Sequence, residues 1–492
     1  MASLPLLGVG VVYCSGIEPL FELADPPLDV IEVEPQTLWH CEPSERPSLR
    51  IDEAALDHLA QLKCPKLIHS VGFPVGGLRS PDAIQIPLMR HMISALAVPW
   101  VSEHLSFNQA FGPTGKFFTG FLLPPRQTAT GVAAAVASVR TLSSALPVPL
   151  AVETGVNYLR PRHDELADGD FAAAVAEQAD CGILLDLHNL WTNERNGRQS
   201  AMDFLRRLPL ERVWEMHLAG GAEFRGYWID EHGGGIPPPV LDLASRLMPS
   251  LPNLRAVIFE ITPSHLERVG IGLVRSQLES VRRAWESRGQ RSRSKPRRSQ
   301  HRCSVATPPP AGDPISPETW EDTLGGLVIG RDVPSPITED LLRDPGVALI
   351  RTLVQDFRAS VVVDLLKLTS RLIMLHEGWE RFRALLESFW AKAPPELFAS
   401  VEAGSFARYL RDLALPVPHL DDVMSFELSV IATLADRQRR VVRFGCDPIP
   451  LLEGLASRRI VTTDEVGTWE VEIVPDSVAA YDAPERHILC PH

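Results

Sequence analysis

The sequence predicts an α/β protein, a TIM-like (β/α)8 barrel followed by a mainly helical (α+β) C-terminal domain. Eight apolar runs of strand length alternate with stretches of helical patterning over residues 1–286, which is the expectation for such a barrel. No glycine-rich phosphate loop follows the first run, which disfavours the competing doubly wound open sheet. Beyond residue 320, apolar residues recur at intervals of three and four, as they do in amphipathic helices.

The strand candidates are short runs that are apolar on both faces, as expected for parallel strands covered by helices. In chain order they are "LLGVGVV", "LDVIEVE", "PKLIHS", "VPWVSEH", "PLAVE", "GILLDLH", "RVWEMH" and "RAVIFE". Helical patterning marks the segments between them, for example "DEAALDHLAQL", "GVAAAVASVRTLSSAL" and "GDFAAAVAEQA".

A low-complexity segment separates the two predicted domains. It reads "RRAWESRGQRSRSKPRRSQHR" and then "CSVATPPPAGDPISPETW", and it is too polar and proline-rich to form a packed core. We therefore predict a barrel domain at 1–286, a linker at 287–319 and a second domain at 320–492. The basic run could also be a nuclear signal or a nucleic-acid patch, but the acidic remainder of the chain favours a solvated tether.

Composition narrows the class of protein. The 492 residues can fill at least two cores, because one core rarely grows past roughly 250–300 residues. The net charge of −14 argues against nucleic-acid binding, which needs excess lysine and arginine. The seven cysteines are scattered without a CxxC pair, and no apolar run is long enough for a membrane span. We expect a soluble cytoplasmic protein with reduced thiols.

Polar side chains stand at the carboxyl ends of nearly all the predicted strands, the rim where barrel enzymes build their active sites. A single such residue is more often structural, but the joint pattern is harder to explain that way. A further pair, Asp230 and His232, lies in "WIDEHGGG", where side chains two apart in an extended segment point the same way. The glycines around this pair suit either a mobile entrance loop or plain turns. The rim residues are Glu34, His69, Glu103, His104, Glu153, Asp186, His188, His217 and Glu260.

Such a concentration of acids and imidazoles predicts bound metal. Carboxylates crowded into a partly desolvated pocket need compensation by cations or by protonation. The candidates outnumber the ligands of one ion, so two or three ions that share carboxylates fit the count. Imidazole and carboxylate without cysteine suit iron, manganese, zinc or cobalt. These residues alone leave open whether the chemistry is redox or hydrolytic.

Six motifs, taken in order, resemble the DUF692 family of multinuclear non-haem iron-dependent oxidases, which includes methanobactin biosynthesis proteins. They are "IHSVGFPVGG", "VSEHLSFN", "GILLDLHNLWTNERNG", "EMHLAGG", "WIDEHGG" and "AVIFEIT", within residues 5–285. The sequence departs from the family at Gln36 in "EPQT" and at Thr154, which puts a third metal position in doubt. His188 in "LDLHN" could replace or add to the ligation expected of Asn189. The resemblance implies metal ligands at His69, His104, Glu153, Asp186, Asn189, His217, Asp230, His232 and Glu260, with His188 as a further candidate.

The resemblance also implies an activity. Members of the family use iron, as two or three ions in mixed Fe(II)/Fe(III) states, with O2 to modify a residue, often cysteine, of a ribosomally made precursor peptide. His217, Asp230 and His232 would then hold the catalytic iron.

The C-terminal half resembles DUF2063-like partner proteins of such oxidases. Its tail, "VRFGCDPIPLLEGLA" with "WEVEIVP", is similar to modules that capture leader peptides by strand addition. A fused recognition domain would make a separate partner protein unnecessary. A generic helical domain with no peptide role stays possible.

Two other functions remain open from the sequence. One is a divalent-metal isomerase or phosphodiester hydrolase of the xylose isomerase or endonuclease IV type, which would favour basic residues near the rim, such as Arg79, Arg126 and Arg195. The other is a non-catalytic peptide-binding adaptor whose metals are structural.

Overall fold

The computed structural model describes residues 4–23, 26–41, 49–78, 83–291, 315–460 and 467–475. The strands of these residues are β1 (Gly8–Val12), β2 (Val30–Val33), β3 (Trp39–Cys41), β4 (Leu49–Ile51), β5 (Lys66–Ser70), β6 (Val101–His104), β7 (Phe107–Gly112), β8 (Gly115–Leu123), β9 (Leu150–Glu153), β10 (Gly182–Asp186), β11 (Val213–Leu218), β12 (Ala222–Phe224), β13 (Tyr227–Ile229), β14 (Ala256–Phe259), β15 (Arg440–Phe444) and β16 (Trp469–Ile473).

Helices cover the barrel and make up most of the C-terminal region. They are α1 (Glu53–Gln61), α2 (Gln85–Leu96), α3 (Ala129–Ala145), α4 (Asp168–Ala179), α5 (Leu187–Arg195), α6 (Ala201–Arg207), α7 (Pro238–Leu247), α8 (Pro263–Val269), α9 (Ile271–Arg291), α10 (Pro317–Val328), α11 (Thr338–Leu342), α12 (Pro345–Leu365), α13 (Lys367–Glu377), α14 (Trp379–Lys392), α15 (Ala399–Leu413), α16 (Leu420–Asp436) and α17 (Pro448–Ala456). None of them, within the described residues, has the length and apolar character needed to span a bilayer.

Eight parallel strands close into a barrel in the order β1-β14-β11-β10-β9-β6-β5-β2. Each is one of the eight apolar runs predicted from the sequence, so the TIM-like fold is confirmed. The remaining strands form two-stranded sheets, among them the hairpins β7–β8 and β12–β13 in the loops at the carboxyl ends of the barrel strands.

The barrel interior changes from apolar to polar along the strands. One buried cluster, which contains Val30, Leu67, Ala151 and Ile258, fills the interior toward the amino ends of the strands. Side chains two positions further along a strand point to the same face. The residues two positions after these four are Glu32, His69, Glu153 and Glu260, and all are buried. A polar layer therefore lies directly above an apolar floor.

Short polar side chains begin several of the helices that surround the site. The Thr128 hydroxyl accepts a hydrogen bond from the Gly131 amide at the start of α3, and the Asp186 carboxylate accepts one from the Asn189 amide at the start of α5. Such caps satisfy amide groups that lack a partner within the helix. At Asp186 the cap also fixes the direction in which β10 delivers its last side chain.

The C-terminal region is helical, as predicted, and contains one two-stranded antiparallel sheet formed by β15 and β16. Its own core joins residues of α12–α17 with both strands. The first barrel-side residues of the predicted linker are helical, because α9 continues to Arg291. Residues 292–314 of that linker lie outside the described residues, and the domain boundaries stay predictions.

Helices α10–α12 pack on the mouth of the barrel, and this arrangement was not predicted. They share a buried core with hairpin β7–β8 and with Tyr158 and Leu159 of the loop after β9. Trp320 of α10 is 2% exposed, and its Nε1 donates to the carbonyl of Pro124 at 2.9 Å. The guanidinium groups of Arg126 and Arg162 lie 5.2 and 5.3 Å from the Trp320 ring. We call this contact region the seam; it joins the C-terminal helices to the loops around the site.

Candidate metal centre

The first cluster of donor atoms joins three strands. Glu153 Oε2, at the end of β9, lies 3.1 Å from His69 Nε2 and 3.0 Å from His104 Nδ1. The two histidine rings approach each other with their Nε2 atoms 3.0 Å apart. Ser102 Oγ lies 2.9 Å from His69 Nδ1, which leaves Nε2 directed at Glu153 and His104.

A second cluster surrounds His217 at the end of β11. Its Nε2 lies 3.0 Å from Glu32 Oε1, and its Nδ1 lies 3.0 Å from Glu260 Oε1. His217 also belongs to a third group with Glu153 and Asp186, in which one donor atom of each residue lies within 4.8 Å of the others. The carboxylate of Glu153 thus belongs to two groups, as a bridging ligand would.

The loop after β13 supplies the remaining donors. His232 Nε2 lies 3.3 Å from Asp230 Oδ2 and 3.6 Å from Glu260 Oε2. The backbone of His232 has φ +50°, a left-handed conformation that non-glycine residues seldom adopt and that is often found at functional sites. The Gly233 amide donates to the Gly220 carbonyl at 3.1 Å, which fixes this loop to the end of β11.

One glycine of this segment lies in a tight turn. The tip of hairpin β12–β13 consists of Arg225 at φ +51° and Gly226 at φ +84°, the pair of positive φ angles that a tight two-residue hairpin needs. The sequence predicts either a mobile entrance loop or plain turns for the glycines of this segment, and at this tip the glycine lies in a turn.

Asn189 and His188 differ in their surroundings. Asn189 Nδ2 donates to Glu153 Oε1 at 3.0 Å, so its carboxamide lies in the first cluster. His188 lies beside it, but its Nε2 accepts a hydrogen bond from Trp228 Nε1 at 3.1 Å, and its Nδ1 lies 2.8 Å from Asp230 Oδ1.

The close packing of acids and imidazoles in the centre shifts the pKa values of several of them. Burial, together with the nearby charges of Glu260, Glu153 and Asp230, raises the pKa of Asp186 well above its ordinary value. Burial would lower the pKa of His232, but Glu260 and Asp230 raise it to about 10. Burial would raise the pKa of Glu260, but His217 and His232 lower it to about 2.

The donor set fits metal ions. Although several of the contacts between these donors are short, many buried polar atoms of the centre have no hydrogen-bonded partner among the described residues. Buried polar atoms in proteins usually have such a partner. Oxygen and imidazole donors without sulfur suit divalent iron, manganese, zinc or cobalt. The atoms are Glu32 Oε1 and Oε2, Glu153 Oε2, Asp186 Oδ2, Asn189 Oδ1, His217 Nδ1 and Nε2, Asp230 Oδ1 and Oδ2, and Glu260 Oε2; His188 Nδ1, which faces Asp230 Oδ1 at 2.8 Å, also lacks an aligned partner.

The structure brings the ten candidate ligands of the sequence analysis into one buried region; their roles as ligands stay predictions. Two other rim residues are not members of these clusters: Glu34 follows the end of β2 and is only partly buried, and the Glu103 carboxylate accepts from the amides of Phe73 and His104. Sequence reasoning missed Glu32 and Glu215. Glu215 Oε1 lies 3.9 Å from His217 Nε2, and its Oε2 accepts from Trp100 Nε1 at 2.9 Å. The sequence contained a sign of both, because Glu32 lies two residues before Glu34 and Glu215 lies two residues before His217. Side chains two positions apart on a strand point to the same face.

A pocket opens onto the centre. The candidate ligands His104, Glu153, Asp230 and His232 form one wall, and Phe121, Tyr158 and Phe171 contribute to the others. Among the described residues that line it there is no lysine or arginine. Asp168, away from the centre, is paired with Arg198, which itself lies outside the lining. Apart from the centre, the walls are therefore effectively neutral.

Two of the three basic candidates for phosphate binding lie elsewhere. Arg126 is engaged in the seam and pairs with Asp164. Arg195 lies over the rings of Trp191 and Trp228 and pairs with Glu223. Arg79 lies outside the described residues.

Comparison with known proteins gives a family match and distant structural neighbours. Residues 8–263 match the family model described as RiPP precursor modification enzyme MbnB/TglH/ChrH, where RiPP denotes a ribosomally synthesised and post-translationally modified peptide. A UPF0276 protein of Streptomyces avermitilis is 34% identical over 220 residues, which cover 43% of this chain and 45% of that protein. A UPF0276 protein of Anaeromyxobacter sp. is 27% identical over 219 residues, 44% of this chain and 73% of that protein. This chain thus spans about half the length of the Streptomyces relative.

Among solved structures, the xylose isomerase domain protein of Planctomyces limnophilus matches with a TM-score of 0.38 and 13% identity, over 58% of this chain and 99% of that one. Endonuclease IV of Thermus thermophilus matches with a TM-score of 0.36 and 17% identity, over 57% of this chain and 99% of that one.

Proposed function

Because the chain belongs to the MbnB/TglH/ChrH family of RiPP precursor modification enzymes, we propose that it is an iron- and O2-dependent oxidase that modifies a cysteine of a ribosomally synthesised precursor peptide. The family and the clusters of donor residues together support the coarser statement, a metal-dependent TIM-barrel enzyme. The iron, the O2 and the cysteine are our proposal.

One observation carries the proposal: buried imidazoles and carboxylates from several strands and one loop converge, with many of their donor atoms lacking hydrogen-bonded partners. A carboxylate that protonates could relieve part of the charge, but it would leave the remaining buried carboxylate oxygens without partners. Cations satisfy both kinds of donor at once.

The residues divide among two or three ions. One ion would be held by His69, His104 and Glu153. A second would be held by Glu153, Asp186 and His217. A third would be held by Asp230, His232 and Glu260, with Glu260 shared between the second and the third. Asn189 Oδ1 is a further donor beside Glu153. We assign the catalytic role to the second and third ions, which His217, Asp230 and His232 would help to hold. Bound iron would supply one-electron chemistry and the activation of O2.

The chain's own residues prepare the reaction. The apolar floor beneath the polar layer and the packed loops above it exclude bulk water, which strengthens every charge interaction in the centre. The cavity ends on His104, Glu153, Asp230 and His232, so a side chain that enters it meets the donors directly. Tyr158 lines the cavity, and its hydroxyl accepts from the Asp230 amide at 3.1 Å, which orders the wall nearest the centre.

The lack of lysine and arginine among the described residues that line the pocket is relevant to the alternative function, a phosphodiester hydrolase. Cationic side chains that hold the phosphate would favour a phosphodiester hydrolase, and the described lining has none. The walls suit an uncharged side chain with its flanking peptide groups. We therefore favour a peptide over a phosphodiester substrate.

We further propose that the C-terminal region recognises the precursor peptide, in place of a separate partner protein. Strands β15 and β16 pair with each other, and within the described residues no third strand joins them, so a peptide strand could add to an edge. The connection to the barrel would raise the effective concentration of a captured peptide at the cavity.

The experiment combines metal analysis with turnover. Protein purified without oxygen should contain two or more irons per chain, and a cysteine-containing precursor peptide encoded near this chain should change mass only when O2 is added. A protein that holds only zinc or manganese, and whose activity is indifferent to O2, would contradict the oxidase. A chain that takes up no metal would contradict the metal centre itself.

A further inference from the structure

His188 is fully buried among the candidate ligands, yet both of its ring nitrogens already face other side chains. We propose that His188 is a positioning residue for Asp230, with its tautomer fixed by Trp228, and that it does not ligate metal. This inference rests on the proposed metal centre and assigns the neighbours of one of its ligands.

The tautomer follows from the chemistry of the indole. Trp228 Nε1 can only donate a hydrogen bond, so His188 Nε2, 3.1 Å away, must be the acceptor and carry no proton. The neutral ring then carries its proton on Nδ1. A protonated nitrogen cannot bind a metal, and the other nitrogen is occupied by the indole.

The proton on Nδ1 has a definite neighbour. Nδ1 lies 2.8 Å from Asp230 Oδ1, a short contact between an N–H dipole and a carboxylate, although not an aligned hydrogen bond. With Oδ1 held from this side, Asp230 Oδ2 is the oxygen on the side of His232, 3.3 Å from its Nε2. The contact with His188 thus selects which oxygen of Asp230 is offered to an ion.

Trp228 is itself firmly placed, as a residue that fixes a tautomer must be. The Asn196 carboxamide binds both backbone groups of Trp228: its Oδ1 accepts from the amide at 2.9 Å, and its Nδ2 donates to the carbonyl at 2.9 Å. The indole packs edge-on against Trp191, with centroids 5.0 Å apart, and Arg195 lies 4.8 Å from its centroid. Since Trp228 lies only two residues before Asp230, the hairpin positions both the ligand and its orienting contact.

The test uses the affinity and number of Co(II) ions bound by the full chain without oxygen, measured by competition with a chromophoric chelator. Trp228→Phe keeps a ring in the aromatic cluster but removes the indole donor. Positioning predicts weaker binding of one ion by about tenfold or more, the usual cost of removing a group that orients a ligand, with the number of ions unchanged at saturation. If His188 Nε2 were a ligand, removal of the competing indole would leave the affinity unchanged or raise it.

Two substitutions at His188 provide an independent check. An asparagine amide lies near the position of Nδ1 and can still donate toward Asp230, whereas a glutamine amide lies near the position of Nε2. We expect His188→Asn to stay within about threefold of wild type, a difference under about 1 kcal/mol. His188→Gln should lose affinity as Trp228→Phe does. Trp379→Phe, on an exposed tryptophan of α14, is the matched control and should bind as wild type.

The outcomes separate this inference from the proposed function. Wild-type protein that binds no Co(II) overturns the metal centre and the inference with it. Wild-type binding with unchanged affinity in Trp228→Phe overturns the inference alone, as does the loss of a whole ion in both His188→Asn and His188→Gln. A thermal melt of each variant, compared with that of Trp379→Phe, shows whether a loss of affinity comes from unfolding.

Discussion

Replacement of Trp320 by alanine should break the seam between the C-terminal helices and the barrel. The side chain is 2% exposed, its indole nitrogen donates to the Pro124 carbonyl, and Arg126 and Arg162 lie over its ring. Truncation of a buried tryptophan costs about 3–5 kcal/mol through lost burial and the cavity left behind. Trp320→Phe keeps a ring beneath the arginines but leaves the Pro124 carbonyl without its donor, which costs about 1–3 kcal/mol.

Hydrogen exchange measures this loss where it occurs. A loss of about 4 kcal/mol in local stability corresponds to exchange that is roughly a thousandfold faster. We expect this acceleration in α10 and in hairpin β7–β8, with a smaller one in Trp320→Phe. Urea denaturation followed by circular dichroism should show the same order of the two variants.

The control is the same substitution at an exposed tryptophan. Trp379 is 57% exposed, so Trp379→Ala should change stability by no more than about 0.5 kcal/mol. Exchange in α10 that is equally fast in Trp320→Ala and Trp379→Ala would refute the seam as a stable packed contact.

Three further predictions concern the centre. His217→Ala should lower the metal content by about one ion per chain, since His217 would be a ligand of the second ion only, and metal analysis against His376→Ala, a histidine of α13, checks it. Tyr158→Phe removes the acceptor of the buried Asp230 amide and should lower the free energy of unfolding by about 1–3 kcal/mol in urea denaturation; a change no larger than that of Tyr227→Phe would contradict it. The metal-free protein should lose thermal stability as the pH rises from about 6.5 toward about 10, because the pKa of His232 is about 10 when folded and ordinary when unfolded. The Glu260 pKa of about 2 makes the opposite contribution, a loss of stability as the pH falls below about 4.5. A profile that is flat above neutral pH, or unchanged by His232→Gln, would count against this assignment.

The barrel could be predicted because each of its strands can be identified from a short stretch of sequence. A parallel strand buried on both faces must be apolar over its whole length, so eight such runs are visible without any tertiary information. The donors at the strand ends were visible for the same reason, since a polar residue such as His69 or His217 interrupts an apolar run. Convergence of these ends then follows from closure of the barrel.

The errors at β2 have an equally local cause. Glu32 and Glu34 both point to the interior face by alternation, and the sequence analysis chose the residue nearer the end of the run. The strand ends at Val33, and the chain turns into a 3-10 helix from Pro35 to Leu38, so the later glutamate lies beyond the strand and is only partly buried. Glu32 remains in the interior and lies 3.0 Å from His217.

The seam could not be predicted from one sequence. It pairs residues far apart in the chain, such as Trp320 with Pro124, 196 positions away. Both surfaces are ordinary amphipathic faces whose apolar residues could pack against many partners. The periodicity that identifies a helix does not identify what the helix covers.

The seam and the metal centre are parts of one arrangement. Phe224, Tyr227 and Ile229 of hairpin β12–β13 pack against the core that α10–α12 share with the barrel, and Arg225 Nη1 donates to Thr352 of α12 at 3.1 Å. The same hairpin continues directly into Asp230 and His232, and a packed strand transmits displacement because interiors have little free volume. The C-terminal helices therefore help to place two donors of the centre, in addition to any part they have in binding a peptide. A barrel that lost these helices would keep the donors of its strands, His69, His104, Glu153, Asp186 and His217, while the loop donors lost their support.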